Sequence, residues 1–213
     1  MNEITLHNVL PKVFSGQEPE SDIWLRPLTF YKGQTYLLRS TSGAGKSSFC
    51  GYIYGHRDDY EGQIFFDGKD ISQFSPRQTT EVRRRQLSIL FQELRLFEDL
   101  TTYENIKIKN DLTHYKTEDE INQLIERLGL IDRRDTPIGQ MSYGQRQRAA
   151  FIRALCQPFD FILLDEPVSH LDEANARLMA QILKEEATRA GAGIITTTVG
   201  STLPLDYDKT FDL

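Results

Sequence analysis

The order of apolar and polar positions predicts short strands and helices that alternate along most of the chain. Residues 4–9 alternate between the two classes, as a half-buried strand does. Residues 23–30 form a second strand candidate, and Pro27 within it predicts an edge position or a bulge. Residues 60–70 contain a strand that ends in Asp67 and Gly68, a typical hairpin turn. The N-terminal part of the chain therefore predicts a small antiparallel sheet.

More continuous apolar runs predict a second, buried sheet interspersed with helices. The buried-strand candidates are residues 35–38, 87–91, 159–167 and 192–199, with a short final strand at 210–213. Helices are predicted from residue 49, over 149–155 and 173–189, and along a segment that runs from 101 to about 128. Within that segment Thr117 resembles a helix start, and Gly129 is a plausible C-cap. This alternation predicts an α/β domain with a mostly parallel sheet.

Residues 40–48 read Ser-Thr-Ser-Gly-Ala-Gly-Lys-Ser-Ser, between the strand at 35–38 and the next helix. A glycine-rich loop can turn its backbone amides inward, and a helix N-terminus adds partial positive charge, so the stretch predicts an anion-binding cradle. Lys46 is then expected to reach the β- and γ-phosphates of a nucleotide, and Ser47 to bind Mg²⁺. The usual pattern begins with glycine, where this chain has Ser40. A flexible Gly/Ser loop is the alternative interpretation.

Several polar residues further along the chain are candidates for the same nucleotide site as this cradle. Gln92 follows the strand at 87–91, at the end that faces the ligand crevice of an α/β sheet. Asp165 and Glu166 end the strand at 159–167, where carboxylates suit Mg²⁺ coordination and water activation. The alternative interpretation of Gln92 is an ordinary surface residue. For Asp165 and Glu166 it is a turn formed with Pro167. Residues 142–148 precede a helix and predict a second anion contact at its N-terminus.

Composition and charge exclude several classes of protein. The 213 residues are 39% hydrophobic and 26% charged, as in ordinary globular domains. The net charge of −6 argues against nucleic-acid binding as the main role, though not against a local basic patch. No apolar run approaches 18 residues, and the N-terminus lacks the basic and apolar regions of a secretory signal. Cys50 and Cys156 do not form a metal-ligand cluster, so cytosolic thiols are expected.

In their order along the chain, these motifs resemble those of ATP-binding-cassette (ABC) ATPases over essentially the full length. Residues 141–145, Met-Ser-Tyr-Gly-Gln, are similar to the family signature LSGGQ. Residues 169–172, Ser-His-Leu-Asp, resemble the S-x-L-D loop that follows the second carboxylate. Residues 90–106 look most like the subfamily of lipoprotein-release, cell-division and macrolide-efflux ATPases.

The resemblance implies a particular α/β fold. It is a P-loop NTPase core (RecA-like, with a mostly parallel sheet), with an N-terminal antiparallel β subdomain and an inserted helical subdomain. Residues 1–213 are then one domain. Residues 1–91 and 149–213, approximately, form the nucleotide-binding core with the β subdomain, and residues 92–148 form the helical subdomain with the signature.

The resemblance also implies a role for each matched residue. The implied catalytic residues are Glu166, as general base, with Lys46 and Gln92. The implied Mg²⁺ ligands are Ser47, Gln92 and Asp165. The implied ATP-binding residues are Phe14 (with Val13 as its alternative) against the adenine, and otherwise Ser42, Gly43, Ala44, Gly45, Lys46, Ser47, Ser48, Ser142, Gly144, Gln145 and Asp172. Ser142 and Gly144 are expected to contact ATP held mainly by a second copy or a paralogous subunit, so that sites form in a head-to-tail dimer bridged by Asp172.

Three residues depart from the family pattern around the phosphates. If the position of Ser40 requires a positive φ, a non-glycine residue there costs roughly 1–2 kcal/mol. Tyr143 replaces the first glycine of the signature, so its side chain must find room at the dimer interface. Thr198 stands where the family expects a Thr-His-Asp type switch, and the histidine is missing. Losing one such donor typically lowers a rate by about 10²–10³.

The function implied is an ATPase subunit, slowed by these departures, that powers a separate integral membrane permease through ATP-driven dimerisation. Its expected location is cytoplasmic, at the inner face of the plasma membrane. The alternative is a nucleotide-dependent regulatory or scaffolding module with little turnover, which the missing histidine favours. A soluble family member in DNA repair or translation is disfavoured, because neither a long coiled-coil insertion nor a second cassette is present.

Overall fold

Two sheets organise the chain, and the computed structural model describes them over residues 1–41 and 43–213. The strands are β1 (Glu3–Pro11), β2 (Leu28–Tyr31), β3 (Thr35–Arg39), β4 (Tyr60–Phe66), β5 (Lys69–Asp70), β6 (Leu87–Leu90), β7 (Phe161–Asp165), β8 (Gly193–Thr198) and β9 (Lys209–Asp212). The helices are α1 (Lys46–Ile53), α2 (Pro76–Arg85), α3 (Thr102–Asn110), α4 (Glu118–Arg127), α5 (Tyr143–Leu155) and α6 (Glu173–Ala190).

The smaller sheet is antiparallel and has the strand order β2-β1-β4-β5, which confirms the sheet predicted from the N-terminal pattern. The predicted hairpin joins β4 to β5. Asp67 and Gly68 both have positive φ in its turn, at 47° and 75°, as a two-residue hairpin turn of the primed type requires. Between His7 and Leu10 the pairing of β1 with β4 shifts register, and Asn8 adopts a φ of 51° there.

The strand predicted over residues 23–30 is wrong in its first half, because β2 begins only at Leu28. Leu25 has a left-handed backbone, with a φ of 59°, which interrupts an extended chain. Pro27 has no N–H to donate to a ladder. Ile23 and Trp24 are nevertheless buried, so their apolar character serves the core rather than a strand.

The larger sheet has the order β6-β7-β8-β3-β9, and all its neighbouring strands are parallel. The carboxyl ends of β3, β6, β7 and β8 therefore meet at one edge of this sheet. Its β7 strand has buried side chains on both faces. Phe161 and Leu163 belong to the core that contains α1 and the antiparallel sheet. Ile162 and Leu164 belong to the core formed with α3 to α6.

The helical segment predicted from 101 to about 128 is two helices, α3 and α4, each with its own capping box. The Asn110 side chain bonds both backbone groups of Lys116, which closes the loop between the helices. The Lys116 ammonium group is buried and pairs with Glu186 of α6 at 2.9 Å. The predicted start at Thr117 is confirmed, and Gly129 follows the end of α4 with a φ of 64°.

The bulge in β1 predicts an unequal response to alanine at two glycines. Gly62 and Gly68 have similar positive φ, at 86° and 75°. A Cβ at Gly62 would overlap the Asn8 carbonyl and lie 2.6 Å from the His7 oxygen, whereas a Cβ at Gly68 meets nothing within 4 Å. We expect Gly68→Ala to lower the free energy of unfolding by about 1 kcal/mol through backbone strain alone. Gly62→Ala adds overpacking and should cost roughly 3 kcal/mol or more. Urea denaturation measures both, and equal losses would contradict this account of the bulge.

Candidate functional site

The loop predicted to hold phosphate joins β3 to α1, at the carboxyl edge of the parallel sheet. Gly43 and Gly45 have positive φ of 86° and 99°, which other residues adopt only with strain. Gly45 is the N-cap of α1 and offers the helix no side chain, whereas Ser, Thr or Asp side chains cap α2 to α6. The first amides of α1 are therefore suited to an anion. Ser42, expected to bind ATP, lies outside the described residues.

The side chain of Lys46 is almost fully buried beneath this loop, with 5% exposed. Its Nζ donates to Ser40 Oγ and to the Thr41 carbonyl, each at 3.1 Å, and lies 3.6 Å from Glu166 Oε1. Ser40 is not among the residues with positive φ, so the strain considered for it does not arise. Its hydroxyl is instead one of the oxygens that hold Lys46.

The predicted Mg²⁺ ligands lie where α1 begins and where β6 and β7 end, at this edge of the sheet. Ser47 Oγ in α1 lies 3.3 Å from Gln92 Oε1, just beyond β6. Asp165 ends β7 as a buried carboxylate, and its Oδ1 accepts a hydrogen bond of 2.7 Å from Thr197 of β8. Hydroxyl, amide and carboxylate oxygens are hard donors of the kind that Mg²⁺ prefers, so this donor set fits that ion.

Glu166 follows β7 in a strained left-handed conformation, with a φ of 51°. Such a conformation costs roughly 1–2 kcal/mol for a residue other than glycine and persists where its surroundings hold it. Its N–H donates to Thr197, and its carbonyl and that of Pro167 accept from the Gln147 amide of α5. The backbone turn is thus held by both β8 and α5, with the carboxylate beside Lys46.

The signature residues lie at the start of α5. Ser142 is its N-cap and exchanges hydrogen bonds with Gln145 in a capping box. A Cβ at Gly144 would meet the 170–171 loop at 3.5 Å, an ordinary contact. Within the part of the chain that the structure describes, no hydrogen bond or ion pair joins Ser142, Gly144 or Gln145 to residues 40–48. The chain alone therefore does not assemble the two halves of the predicted composite site.

Tyr143, the departure within the signature, makes contacts inside its own chain. Its hydroxyl lies 3.1 Å from the Gln92 carbonyl, to which it donates. Its ring lies 4.3 Å from that of His170, centre to centre, in a tilted arrangement. The side chain is 40% exposed. Tyr143 therefore links the start of α5 to Gln92, two residues beyond β6, and to the loop after Glu166.

Thr198, where the family expects its switch, uses its hydroxyl within its own loop. The side chain is buried, donates to the Ser201 carbonyl at 2.7 Å and accepts from the Gly200 N–H at 3.1 Å. Val199 follows with 49% exposure and lines a cavity of about 200 Å³ together with Glu166. Thr198 lines the same cavity, but its hydroxyl is engaged within the loop, so Val199 is the freer position for an added donor beside Glu166.

Two aromatic side chains lie against the turn at Gly45. A Cβ built on Gly45 would meet Phe14 at 3.5 Å and Trp24 at 3.1 Å. Phe14, predicted to contact the adenine, is half-buried here, whereas its alternative Val13 is 71% exposed. Sequence reasoning missed Trp24, because it lay in a segment assigned to a strand. The available signal was the presence of the chain's one tryptophan just before Pro27.

Asp172 is the exposed N-cap of α6, at the end of the loop that follows Glu166. Hydrogen bonds from the backbone and side chain of Asn175 hold the pKa of its carboxyl below the usual range. The carboxylate is therefore ionised at neutral pH and lies on the surface, as a bridge to another subunit requires.

The sequence of this chain is similar to those of known proteins. A family model described as ABC transporter matches residues 27–169. Methionine import ATP-binding protein MetN 3 of Pectobacterium atrosepticum is 34% identical over 169 residues, which are 78% of this chain and 49% of that protein. Phosphonates import ATP-binding protein PhnC 2 of Synechococcus sp. is 32% identical over 195 residues, covering 85% of this chain and 72% of that protein. The chain spans about half the length of the MetN relatives.

Solved structures share the fold. The dimeric structure of MJ0796, a bacterial ABC transporter cassette, matches with a TM-score of 0.80 at 24% identity, over 92% of this chain and 88% of that one. A bacterial Atm1-family ABC exporter with ATP bound matches all of this chain and 37% of its own, with a TM-score of 0.79 at 23% identity. The α/β arrangement of one antiparallel and one parallel sheet is thereby confirmed. The family match and the identity to PhnC 2 show that this chain belongs to the ABC transporter family.

Proposed function

We propose that the chain is the ATP-binding and ATP-hydrolysing subunit of an ABC transporter, working on a separate membrane permease. The observation that carries this proposal is the buried Lys46, held against Glu166 directly under a glycine-rich loop. A buried ammonium group beside the open N-terminus of a helix is suited to a polyphosphate.

Each residue of the site has a distinct part in the proposed reaction. Lys46 and the amides of the loop and of α1 bind the β- and γ-phosphates of ATP. Ser47, Gln92 and Asp165 are the residues that would hold Mg²⁺, which when bound neutralises charge on the phosphate oxygens. Glu166 accepts the proton of the water that attacks the γ-phosphorus, and Lys46 beside it stabilises the negative charge of the phosphoryl group. Phe14 provides the surface for the adenine.

The site is completed by a second ATPase subunit. Because no hydrogen bond or ion pair among the described residues joins Ser142, Gly144 or Gln145 to the phosphate loop of their own chain, we assign them to ATP bound by a facing copy or paralogue. The N-terminus of α5, which Ser142 caps, supplies that contact, and Asp172 supplies a charged contact across the interface. In the same proposal, residues 92–148 move as a helical unit against the core formed by 1–91 and 149–213.

A groove beside β6 is the surface that we assign to the membrane subunit. It has a volume of about 240 Å³ and an apolar rim in which Phe97, Ile108 and Leu112 are about half exposed. Burial, and then the charge of Arg153, lowers the pKa of Lys109 in this groove to about 8. Burial lowers the pKa of Arg153 to about 10. An amphipathic helix with an apolar anchor and a carboxylate matches both properties.

The proposed location is the cytoplasm, at the inner face of the plasma membrane. Over residues 1–41 and 43–213, none of the helices combines the length and apolar character needed to cross a bilayer. The subfamily of lipoprotein-release, cell-division and macrolide-efflux ATPases stays a prediction from residues 90–106. The relatives described above are named for methionine and phosphonate import, and so they support the wider family.

A regulatory or scaffolding module with little turnover is the second candidate. It is favoured by Thr198, whose hydroxyl is engaged within its own loop and so leaves the family's switch position without a donor toward Glu166. In that case ATP drives dimerisation and signals to the membrane partner without sustained hydrolysis.

Glu166→Gln separates binding from hydrolysis. Because the amide cannot accept the proton, we expect phosphate release to fall by about 10²–10⁴-fold, to background, while ATP affinity is retained. Phosphate release by the purified protein with its partner measures the rate. Glu173→Gln is the matched control, since this exposed glutamate of α6 makes one ion pair among the described residues, with Arg177. If the unmodified protein releases no more phosphate than Glu166→Gln, the hydrolysis proposal fails and the regulatory module stands.

Restoring a histidine at the switch should raise the rate. The sequence comparison pointed to Thr198, but its burial and its two hydrogen bonds make Val199 the better position. We expect Val199→His to increase phosphate release by about tenfold or more through one added donor, and Thr198→His to do so less because it disrupts the loop. Val199→Phe supplies a ring without a donor and is the control. Equal rates for Val199→His and Val199→Phe would show that no donor is missing beside Glu166.

A further inference from the structure

Trp24 is buried beside the phosphate loop and donates a hydrogen bond to it. Its indole Nε1 lies 3.1 Å from the Ala44 carbonyl oxygen, and only 2% of the residue is exposed. The ring packs edge-on against Phe49 of α1, 6.3 Å between centres. Its Cζ2 lies 3.1 Å from the position that a Cβ on Gly45 would occupy. Trp24 therefore contacts the loop at the two residues that precede Lys46.

The backbone of Trp24 is itself fixed. The N–H groups of Ile23 and Trp24 both donate to Ser21 Oγ at 3.0 Å. The N–H of Leu25 donates to the Val9 carbonyl of β1, also at 3.0 Å. The left-handed conformation of Leu25, which ends the extended segment here, thus belongs to a turn that is tied to the antiparallel sheet. These hydrogen bonds hold the backbone of Trp24, and so they fix the position of its indole next to the loop.

The hydrogen bond to Ala44 determines the direction of the next amide. Within a trans peptide unit, the carbonyl and the following N–H point in opposite directions in one plane. With the Ala44 oxygen directed at the indole, the Gly45 N–H is directed away from it. Gly45 has a φ of 99° and is free to rotate through many conformations unless it is held. The indole N–H supplies that restraint.

We propose that Trp24 is a positioning residue for phosphate binding, whose indole N–H orients the Ala44–Gly45 peptide so that the Gly45 amide serves the anion. This inference rests on the proposed function, because it assumes that the loop binds the phosphates of ATP. It assigns the role to a side chain that precedes the part of the chain matched by the family model, residues 27–169. The ring also fills the space next to Gly45, so the backbone of the turn cannot move in that direction.

The experiment replaces one atom of the indole. Because the chain contains one tryptophan, growth of a tryptophan auxotroph on 3-benzothienylalanine exchanges the indole N–H for sulfur at position 24 alone. The shape of the ring is kept and the donor is lost. We expect the affinities for Mg-ATP and Mg-ADP, measured by calorimetry, to fall by a similar factor of about threefold to tenfold, the range of one neutral hydrogen bond. Protein carrying 5-fluorotryptophan keeps the N–H and should bind as the unmodified protein does.

Packing alone predicts a different result. If Trp24 only fills space, benzothienylalanine leaves both affinities unchanged, and this outcome overturns the proposal. Trp24→Phe gives a second measure, since it removes the donor and part of the ring. Trp24→Phe should weaken nucleotide binding at least as much as benzothienylalanine does. If the affinity is unchanged and only the urea midpoint falls, the proposal is again overturned. If the unmodified protein binds neither nucleotide, the proposed function itself fails, and the proposed role of Trp24 fails with it.

Discussion

The burial of Lys46 is the constraint on which the rest of the site depends. An ammonium group taken out of water is costly unless oxygens and a counter-charge surround it. Here the oxygens come from Ser40 and Thr41, and the counter-charge comes from Glu166. The loop between β3 and α1 must therefore turn tightly at Gly43 and Gly45. For the same reason β7 must end next to that loop. The arrangement that stabilises the Lys46 ammonium group also places it where it would contact a bound phosphate.

Strand order explains why residues far apart in the chain converge on this point. β3 lies between β8 and β9, and β7 lies on the other side of β8. Parallel pairing brings the ends of these strands to one edge, so Asp165 reaches Thr197 and Glu166 reaches Lys46. The core with α1 and the antiparallel sheet covers one face of the parallel sheet, and the core with α3 to α6 covers the other, so the loops at this edge are where the polar groups of the site meet. In the proposed function, the two halves of the active site then meet across the interface with a second subunit.

The sequence predicted those features whose causes are local. The loop before α1 is recognisable because glycine and lysine spacing directly controls backbone direction and charge, and the start of α4 is recognisable because Thr117 and Glu120 cap it within one turn. The break between α3 and α4 was missed because the loop is closed by Asn110 and by an ion pair between Lys116 and α6. These contacts join residues that the sequence does not place together.

Long-range contacts explain the other differences around the site as well. Ser40 would introduce strain if its position required a positive φ, but its N–H donates to the Thr198 carbonyl of β8 and its hydroxyl accepts from Lys46. Tyr143 contacts Gln92 and His170, and Trp24 contacts Ala44, at separations that no local pattern encodes. The chemistry of the site thus follows from short motifs, whereas the groups that orient its backbone follow from the packing of the whole domain.

The most direct test of the central claim is calorimetric titration of ATP, ADP and AMP, with Mg²⁺, into the unmodified protein and Lys46→Ala. If Lys46 binds the β- and γ-phosphates, the substitution should weaken ATP and ADP by roughly 10–100-fold, the range of a hydrogen bond to a charged group. AMP, which has neither phosphate, should bind both proteins equally. Lys209→Ala, on the exposed edge strand β9, should bind all three nucleotides as the unmodified protein does. Undiminished binding of ATP by correctly folded Lys46→Ala would contradict the account.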